Sequence, residues 1–398
     1  MRVLQSFPHK IGAARICTTA WHQAAGAAEA GADVLVMPGA VARPLPEGID
    51  VQPTLARGRV RIPYKVLGRV RALKLHDRLV AQALPKLAGQ IDIVHTWPMG
   101  ARETLKTARR LGIPTVLERP NAHTRFAYET VRAECERLGV ALPADHEHAY
   151  NAEVLRLEEE EYALADRLLC PSDFVRQTFL DEGFAPEHLA RHLYGYDGHR
   201  FHPRSGPRPE GQALTVLFVG VAAVRKGVHF ALEAWLKSPA SQSGKLLIAG
   251  EFLPDYATRL ADMLAHPSVE VLGHRTDVPE LMRRSDALVL PSIEEGSALV
   301  CSEALASGCV PVVSDASGAV CEHGVNGLVH RVADVDTLQA HITSLHEDPA
   351  LLDRLREACI RTAPDYTWTK AGARLVEVYA QVVADHSGHH AHPARQAA

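Results

Sequence analysis

Short apolar runs alternate with amphipathic stretches along the first half of the chain. Runs with the length and composition of β-strands are Val3–Phe7, Asp33–Met37, Ile91–His95, Thr115–Glu118 and Arg167–Cys170. Helical spacing of apolar residues is found between them, in Cys17–Ala30, Tyr64–Leu84 and Ala101–Leu111. Apolar strands that are separated by helices predict a parallel sheet covered on both faces.

The same alternation begins again after a stretch rich in proline and glycine, residues 202–211. Further strand patterns are Leu214–Val219, Lys245–Ala249, Val269–Leu272, Ala287–Leu290 and Val310–Ser314. Helical patterns are Val228–Leu236, Ala257–Leu264 and the final Trp368–Ala384. The pattern therefore predicts two doubly wound α/β domains that face a central cleft.

The predicted boundaries follow from these patterns. We expect an N-terminal Rossmann-like domain over residues 1–202, a linker over 203–213 and a C-terminal Rossmann-like domain over 214–366. A C-terminal helix over 367–385, which we expect to cross back to the N-terminal domain, and a disordered, histidine-rich tail over 386–398 complete the prediction.

Composition and charge narrow the classes of function. The net charge of −4 over 398 residues provides no global positive field for nucleic acid, so no nucleic-acid partner is expected. Seven cysteines without a C-x-x-C pair indicate reduced packing residues and a cytoplasmic location. No apolar run approaches the length of a membrane-spanning helix.

A basic stretch at 57–78 stands out from this net-negative background. It contains Arg57, Arg59, Arg61, Lys65, Arg69, Arg71, Lys74 and Arg78. Val66, Leu67, Val70 and Leu73 form an apolar stripe on the same predicted helix. Two interpretations fit: peripheral contact with an anionic acceptor or the inner membrane face, or a solvated helix that packs its stripe on the first sheet.

Candidate chemistry begins where the first strand of the second domain ends. That strand runs into Gly220, and Arg225-Lys226-Gly227 follows before a helix. Ligands of open α/β sheets bind beyond the carboxyl ends of the strands, and adjacent cations suit phosphate oxygens. The alternative is a solvated basic turn.

A second group of candidates follows the strand that ends at Leu290. The stretch 291–297 opens a helix whose first free N–H groups can bind an anion such as a diphosphate. Glu303, one turn into that helix, can accept hydrogen bonds from ribose hydroxyls, and Glu295 can hold sugar hydroxyls. The alternative is that Glu295 is an acidic residue that complements the helix dipole.

Together these motifs resemble those of retaining GT-B glycosyltransferases of the GT4 type. In the second half the resemblance is carried by Gly220, Arg225-Lys226-Gly227, Pro291-Ser292, Glu295-Gly296, Glu303-Ala304-Leu305-Ala306-Ser307-Gly308 and Gly324-Val325-Asn326-Gly327. In the first half it is carried by Asp92-Ile93-Val94-His95, Ala165-Asp166-Arg167, Pro171-Ser172-Asp173-Phe174-Val175 and Tyr194-Gly195-Tyr196-Asp197, with Phe201 and Pro203. The resemblance covers nearly the whole chain.

The resemblance implies roles for individual residues. Lys226 matches the lysine on the donor diphosphate, Glu303 the glutamate on the ribose, and Glu295 the glutamate on the donor sugar. It also implies that the phosphates and the sugar meet Gly12 of the N-terminal loop and the segment Ser297, Ala298, Leu299 and Val300. His123 resembles the active-site histidine near the donor sugar, and it follows a predicted strand.

Further candidates lie at the nucleotide base and on the acceptor side. Base recognition is expected near Val271–Arg275, with Gly273 and His274 as donor-binding candidates. His95, Trp97 and Asn121 are the acceptor-side candidates.

The sequence also departs from the family pattern at two positions. Val221 stands where an arginine is common, so Arg225 is the candidate for the missing charge. Gly12-Ala13 replaces a frequent pair of glycines, which affects the expected acceptor geometry more than donor binding.

The resemblance implies transfer from a UDP- or GDP-linked sugar with retention of configuration. The acceptor class stays open between a small molecule, a lipid-linked sugar and a saccharide. No Asp-x-Asp stands in a metal-binding context, so neither a metal nor another cofactor is expected. The alternatives are a catalytically silent nucleotide-sugar-binding protein and a GT-B epimerase or phosphorylase. A nicotinamide dehydrogenase is disfavoured because no Gly-x-Gly-x-x-Gly follows a strand.

Overall fold

The chain forms two compact units in the computed structural model, which describes residues 1–57, 60–61, 68–206, 208–209 and 211–390. Unit 1 comprises residues 1–120 and 151–194 together with the chain from Trp368 onward. Unit 2 comprises Asn121–Tyr150 and Gly195–Thr367. Each unit contains its own sheet.

The secondary structure of the described residues alternates as the sequence predicts. The strands are β1 (Arg2–Ile11), β2 (Asp33–Val41), β3 (Asp50–Val51), β4 (Ala56–Arg57), β5 (Val60–Arg61), β6 (Ile93–Thr96), β7 (Thr115–Glu118), β8 (Arg167–Cys170), β9 (Leu189–Arg191), β10 (Thr215–Val219), β11 (Lys245–Ala249), β12 (Val269–Val271), β13 (Ala287–Leu290), β14 (Val310–Ser314) and β15 (Leu328–His330). The α-helices are α1 (Ile16–Glu29), α2 (Arg69–Leu87), α3 (Arg102–Leu111), α4 (Thr124–Leu138), α5 (Ala152–Leu164), α6 (Asp173–Asp181), α7 (Val228–Lys237), α8 (Ala240–Ser243), α9 (Pro254–Arg259), α10 (Ala261–Leu264), α11 (Val278–Arg284), α12 (Leu299–Ser307), α13 (Val335–Glu347), α14 (Pro349–Thr362) and α15 (Trp368–His390).

Unit 1 is built on a parallel sheet in the order β3-β2-β1-β6-β7-β8-β9. Every residue of β6 and of β7 is buried, as expected for strands that are covered on both faces. A separate antiparallel pair, β4 and β5, belongs to the same unit.

The C-terminal helix α15 packs against α1 in unit 1. A Cβ added to Gly372 would stand 2.3 Å from the carbonyl carbon of Gly26, so the two helix backbones approach closely at these glycines. Leu375, Val378 and Tyr379 of α15 join the core around β1 and α1. This confirms the prediction that the C-terminal helix returns to the first domain.

Unit 2 contains a second parallel sheet, in the order β12-β11-β10-β13-β14-β15. All four residues of β13 and all five of β14 are buried. Because the strands are parallel, their carboxyl ends lie at one edge of the sheet. The two sheets with their covering helices confirm the predicted pair of Rossmann-like domains.

The structure divides the chain differently from the predicted domain boundaries. Residues 121–150, here called the inserted segment, leave unit 1 after β7 and belong to unit 2. Val131 and Cys135 of this segment are part of the unit 2 core. Residues 195–202 and the predicted linker also belong to unit 2, where Arg208 Nε donates to Asp286 Oδ1 at 2.8 Å.

Several elements differ in extent from the sequence prediction. The predicted helix Ala257–Leu264 forms as two short helices, α9 and α10. Helix α15 continues through His390, so the first residues of the predicted tail are helical, and residues 391–398 lie outside the described part of the chain. Among the described residues, no helix is long and apolar enough to cross a membrane.

Much of the basic stretch 57–78 lies outside the described residues, including Arg59, Lys65, Val66 and Leu67. In the described part, Leu73 of α2 is buried, whereas Val70 is exposed. Lys74 pairs with Glu153 at 2.8 Å. Within the described part of the stripe, Leu73 therefore packs inward as the second interpretation expects, whereas Val70 does not.

Candidate functional site

Two loops of unit 2 press against each other at the carboxyl ends of β10 and β13. Gly227 ends a short 3-10 turn, Val224–Lys226, with φ +66°. A Cβ at Gly227 would stand 2.0 Å from the carbonyl oxygen of Pro291, so the approach of the loops requires glycine. The Ile293 N–H donates to the Arg225 carbonyl at 2.9 Å. The loop of Arg225 and Lys226 is thereby fixed to the loop of Glu295.

The charged side chains of these loops meet. The Lys226 ammonium contacts Glu295 Oε1, and Arg225 Nη1 lies 3.0 Å from Glu295 Oε2. All three side chains are largely buried, with 15% or less of their surface exposed. Burial, and then the nearby Arg225 guanidinium, lower the pKa of Lys226 to about 7. The structure thus brings together the predicted diphosphate cations and the predicted sugar carboxylate.

Helix α12 begins at the same edge of the sheet. Ala298 precedes its first residue, but the Ala298 N–H donates to the Ser317 carbonyl at 3.2 Å. This N–H group therefore already has a partner, which differs from the prediction that it faces a ligand. The following residues, Leu299 and Val300, form the first turn, and Ser297 lies in the loop before it.

Glu303 lies in the second turn of α12 and is half-buried. Burial raises the pKa of Glu303 to about 7; the positive charge of Arg200 opposes this shift and the negative charge of Asp197 adds to it. The carboxyl therefore changes its charge close to neutral pH. Asp197, the last residue of the Tyr194–Asp197 motif, lies in unit 2 and acts on Glu303 from a distant part of the sequence.

His123 is the residue immediately before helix α4, and it is buried within unit 2. Its neighbour Ala122 donates its backbone N–H to Glu294 Oε1 at 3.3 Å. His123 therefore lies one residue from a bond to the Glu294-Glu295 loop. The predicted acceptor-side residue Asn121 is exposed.

Glu294 and His148 are site residues that the sequence analysis did not identify. Glu294 is fully buried, and its Oε2 lies 3.3 Å from His148 Nε2 and 3.4 Å from Arg225 Nη1. Burial alone would raise the pKa of Glu294, but Arg225 and His148 lower it to about 2. Two consecutive glutamates at a strand end were the available signal for Glu294, whereas nothing in the sequence singled out His148.

Two of the donor-binding candidates, Gly220 and Gly273, have positive φ angles. Gly220 follows β10 with φ +141°, and a Cβ at the neighbouring Gly250 would stand 1.7 Å from the Gly220 carbonyl oxygen. Gly273 follows β12 with φ +65°, at the same edge of the sheet, and His274 beside it is exposed.

The remaining candidates lie in unit 1. Gly12 follows β1 with φ +75°, and a Cβ there would stand 2.5 Å from Arg43 Cβ. This contact explains why the N-terminal loop has glycine at this position.

His95 and Trp97 are buried in the interior of unit 1. His95 Nδ1 lies 2.6 Å from the Tyr379 hydroxyl, and its Nε2 lies 3.5 Å from Glu118 Oε2. Trp97 packs edge-on against Phe7. Because both side chains are enclosed, the structure provides no support for the predicted acceptor contact at these two residues.

Glu118 is the centre of a buried polar cluster around His95. It accepts hydrogen bonds from Tyr194 at 2.9 Å and from Gln23 at 2.7 Å, and it lies 3.0 Å from His192 Nε2. Burial opposes ionisation of Glu118, but the neighbouring histidines outweigh it and hold its pKa well below the usual range. The cluster links β6 and β7 to α1 and α15 within unit 1.

Among the described residues, no group of three or more histidine, cysteine, aspartate or glutamate side chains is arranged to hold a metal ion.

Two family descriptions match the chain. "Glycosyltransferase Family 4" matches residues 18–197, and "Glycosyl transferases group 1" matches residues 213–348. The chain belongs to the family 4, group 1 glycosyltransferases. The matches cover most of both units and include Lys226, Glu295 and Glu303.

The chain is similar in sequence to several curated proteins. The chain is 34% identical over 195 residues to glycogen synthase of Mycobacterium tuberculosis, covering 46% of each chain, so it spans about half the length of that relative. It is 26% identical over 431 residues to D-inositol 3-phosphate glycosyltransferase 1 of Catenulispora acidiphila, covering 95% of this chain and 97% of the relative.

A solved structure shows the same fold. The crystal structure of Anabaena HepE in complex with UDP superposes with a TM-score of 0.65 at 18% identity, covering 96% of this chain and 99% of that chain. At this identity the likeness concerns the fold, which is of the GT-B type, with two Rossmann-like domains.

Proposed function

We propose that this glycosyltransferase moves a sugar from a nucleoside-diphosphate sugar to a hydroxyl group of an acceptor, with retention of the anomeric configuration. The observation that carries the proposal is the meeting of Arg225 and Lys226 with Glu295 at the carboxyl edge of the unit 2 sheet. Glu303 lies at the same edge, in the helix that follows.

Arg225 and Lys226 stabilise the diphosphate leaving group. Its negative charge grows as the bond to the sugar breaks, and charged donors fixed in advance stabilise such a transition state. The loop contacts of Gly227 and Ile293 hold both cations in place before a ligand arrives. The amides of Leu299 and Val300 at the start of α12 add to this stabilisation.

Glu303 and Glu295 hold the neutral parts of the donor. An ionised Glu303 accepts hydrogen bonds from the two ribose hydroxyls. Glu295, which pairs with the two cations in the present structure, accepts hydrogen bonds from the hydroxyls of the donor sugar. His123, held near this loop through Ala122, acts on the sugar rather than on the nucleotide.

The proposed transfer is a displacement on one face of the sugar. The bond from the anomeric carbon to the phosphate oxygen breaks, and the bond to the acceptor oxygen forms on the same face. The acceptor hydroxyl gives its proton to the departing phosphate oxygen. Because Arg225 and Lys226 supply the positive charge, we propose that the reaction needs no metal.

UDP is the first nucleotide to test, because the structurally similar HepE was crystallised with it. The acceptor is proposed at the level of a saccharide, polyol or lipid-linked hydroxyl, in keeping with the names of the relatives. The seven free cysteines suit a reducing compartment, and we propose a cytoplasmic location.

Thermal shift with UDP and GDP, followed by turnover of the corresponding sugars, tests the proposal. We expect one nucleotide to stabilise the wild-type protein and the Lys237→Ala variant, but not Lys226→Ala. Lys237 is an exposed lysine on α7 and serves as the matched control. Binding without any consumption of nucleotide sugar would instead indicate a catalytically silent binding protein.

A further inference from the structure

The Glu294 carboxylate bonds to both ends of the inserted segment. Its Oε1 accepts the Ala122 N–H at the start of the segment, at 3.3 Å. Its Oε2 lies 3.3 Å from His148 Nε2, near the end of the segment. The same oxygen lies 3.4 Å from Arg225 Nη1, and Arg225 also donates to the Glu294 carbonyl at 3.0 Å. One buried side chain thus joins the segment ends to the diphosphate loop.

Other contacts attach the middle of the inserted segment to unit 2. His229 Nε2 lies 2.7 Å from Glu134 Oε1 on α4. Arg259 Nε donates to the Leu138 carbonyl at 3.1 Å. These bonds hold helix α4 against the rest of unit 2. Glu294 instead bonds to Ala122, next to His123, at the point where the chain enters unit 2.

We propose that Glu294 is a positioning residue for the transfer reaction: it holds the Ala122 backbone, next to His123, and the Arg225 guanidinium in one fixed arrangement. This inference rests on the proposed function, because it assigns His123 to the donor sugar and Arg225 to the diphosphate. It also means that His123 is positioned by unit 2, although it follows a strand of unit 1 in the sequence.

Glu294 acts through its partners and not on the substrate. Its side chain has no exposed surface, and protein groups surround both carboxylate oxygens. A buried carboxylate with several donors fixes their positions, because leaving any of them unpaired carries a desolvation penalty. Loss of the carboxylate therefore frees Ala122 and His148 together.

Glu294→Gln keeps the size of the side chain and removes its charge. We expect kcat to fall at least tenfold while the KM for the nucleotide sugar stays within threefold, because Glu295 still pairs with Arg225. Hydrogen exchange at residues 121–124 and 146–150 is expected to increase at least tenfold. His148→Ala should change kcat and hydrogen exchange in the same directions by a smaller factor. It replaces Glu294→Gln as the test variant if Glu294→Gln does not fold.

Glu134→Gln is the matched control, since it removes a carboxylate of the same segment away from Arg225. Its kcat is expected to stay within threefold of wild type. An unchanged kcat in folded Glu294→Gln, or parallel changes in kcat and KM, would contradict the positioning role. Absence of turnover in the wild-type protein would contradict the proposed function instead, whereas the exchange measurement would still test the bonds of Glu294.

Discussion

Arg225 Nη1 lies 3.0 Å from Glu295 Oε2, and the Lys226 ammonium contacts the other oxygen of the same carboxylate. Two cations of one loop therefore meet a carboxylate of the next loop along the sheet edge. We assign these cations to the donor diphosphate.

Lys226→Ala is expected to reduce turnover severely without unfolding the protein. Loss of one fixed charge donor costs about 3–4 kcal/mol of transition-state stabilisation, or ~100- to 1,000-fold in rate. Steady-state kinetics beside Lys237→Ala, with circular dichroism to verify folding, measure this. A Lys226→Ala rate within threefold of wild type would exclude the phosphate role.

Affinity for the nucleotide sugar is expected to weaken below pH 7, because the pKa of Glu303 is raised to about 7 by burial. If only ionised Glu303 binds the ribose, the dissociation constant rises about fivefold from pH 7 to pH 6. The intact nucleotide sugar is the suitable ligand for this measurement. A free nucleoside diphosphate is not, because its terminal phosphate itself titrates at about pH 6. Lys226, whose pKa is lowered to about 7, gains charge over the same pH range in wild type and in Glu303→Gln, and its charge opposes the loss of affinity. In titration calorimetry, the ratio of the wild-type dissociation constant to that of Glu303→Gln should therefore rise about fivefold from pH 7 to pH 6.

The raised pKa of Glu303 also predicts how the stability of the fold depends on pH. An acid whose folded pKa lies above its unfolded pKa contributes stability at low pH, and that contribution is lost as the pH rises through the folded value. Glu303→Gln should therefore raise the thermal unfolding midpoint at pH 8 relative to wild type, with little change at pH 4. A variant that is less stable than wild type at pH 8 would contradict the burial of an unpaired carboxyl.

His123→Ala should lower turnover while nucleotide binding is retained. We expect nucleoside-diphosphate affinity to stay within threefold and kcat to fall at least tenfold, which is about 1.4 kcal/mol in the barrier. His346→Ala on α13 provides a histidine control. A parallel loss of affinity and turnover would assign His123 to the nucleotide, and a loss of neither would make the residue structural.

Transfer is expected to survive an excess of chelator, because Arg225 and Lys226 supply the charge that stabilises the leaving diphosphate. The measurement compares initial rates before and after addition of EDTA and after addition of magnesium or manganese. Loss of activity with EDTA and rescue by either metal would overturn the metal-independent mechanism.

Gly372→Ala is expected to destabilise unit 1 by about 1–3 kcal/mol, because the added methyl group would collide with the Gly26 backbone. The neighbouring Ala373 is exposed, so Ala373→Leu should stay within about 0.5 kcal/mol. Denaturant unfolding of both variants measures the difference. Equal stability would show that α1 and α15 have room to separate.

The elements with long apolar patterns could be predicted from the sequence, and so could the charged residues that follow the carboxyl ends of the strands. Ala287–Leu290 forms as predicted, because a buried parallel strand is often a continuous apolar run, and Thr115–Glu118 forms as predicted although its first and last residues are polar. Arg225 and Glu295 were expected near each other because parallel strands bring their carboxyl ends to one edge. The strands β3, β4, β5, β9 and β15 were missed, since runs of two or three residues carry no periodicity; β12, also of three residues, was predicted as part of the longer run Val269–Leu272.

The placement of the inserted segment could not be predicted. The sequence analysis did not predict the helix Thr124–Leu138, and local periodicity does not say on which sheet a helix packs. That choice depends on distant partners, such as His229 for Glu134. The resemblance singles out Glu295, whereas the role proposed for Glu294 depends on the direction of its side chain, which bonds to Ala122 and His148.

The most direct test of the donor site and its chemistry is to follow the anomeric proton of a nucleotide sugar by NMR in the presence of the protein and a hydroxyl acceptor. We expect the donor signal to disappear, free nucleoside diphosphate to form, and the product to have the anomeric configuration of the donor. A donor that stays intact with every nucleotide and acceptor tested would contradict the transferase function, and a product of inverted configuration would contradict the same-face mechanism.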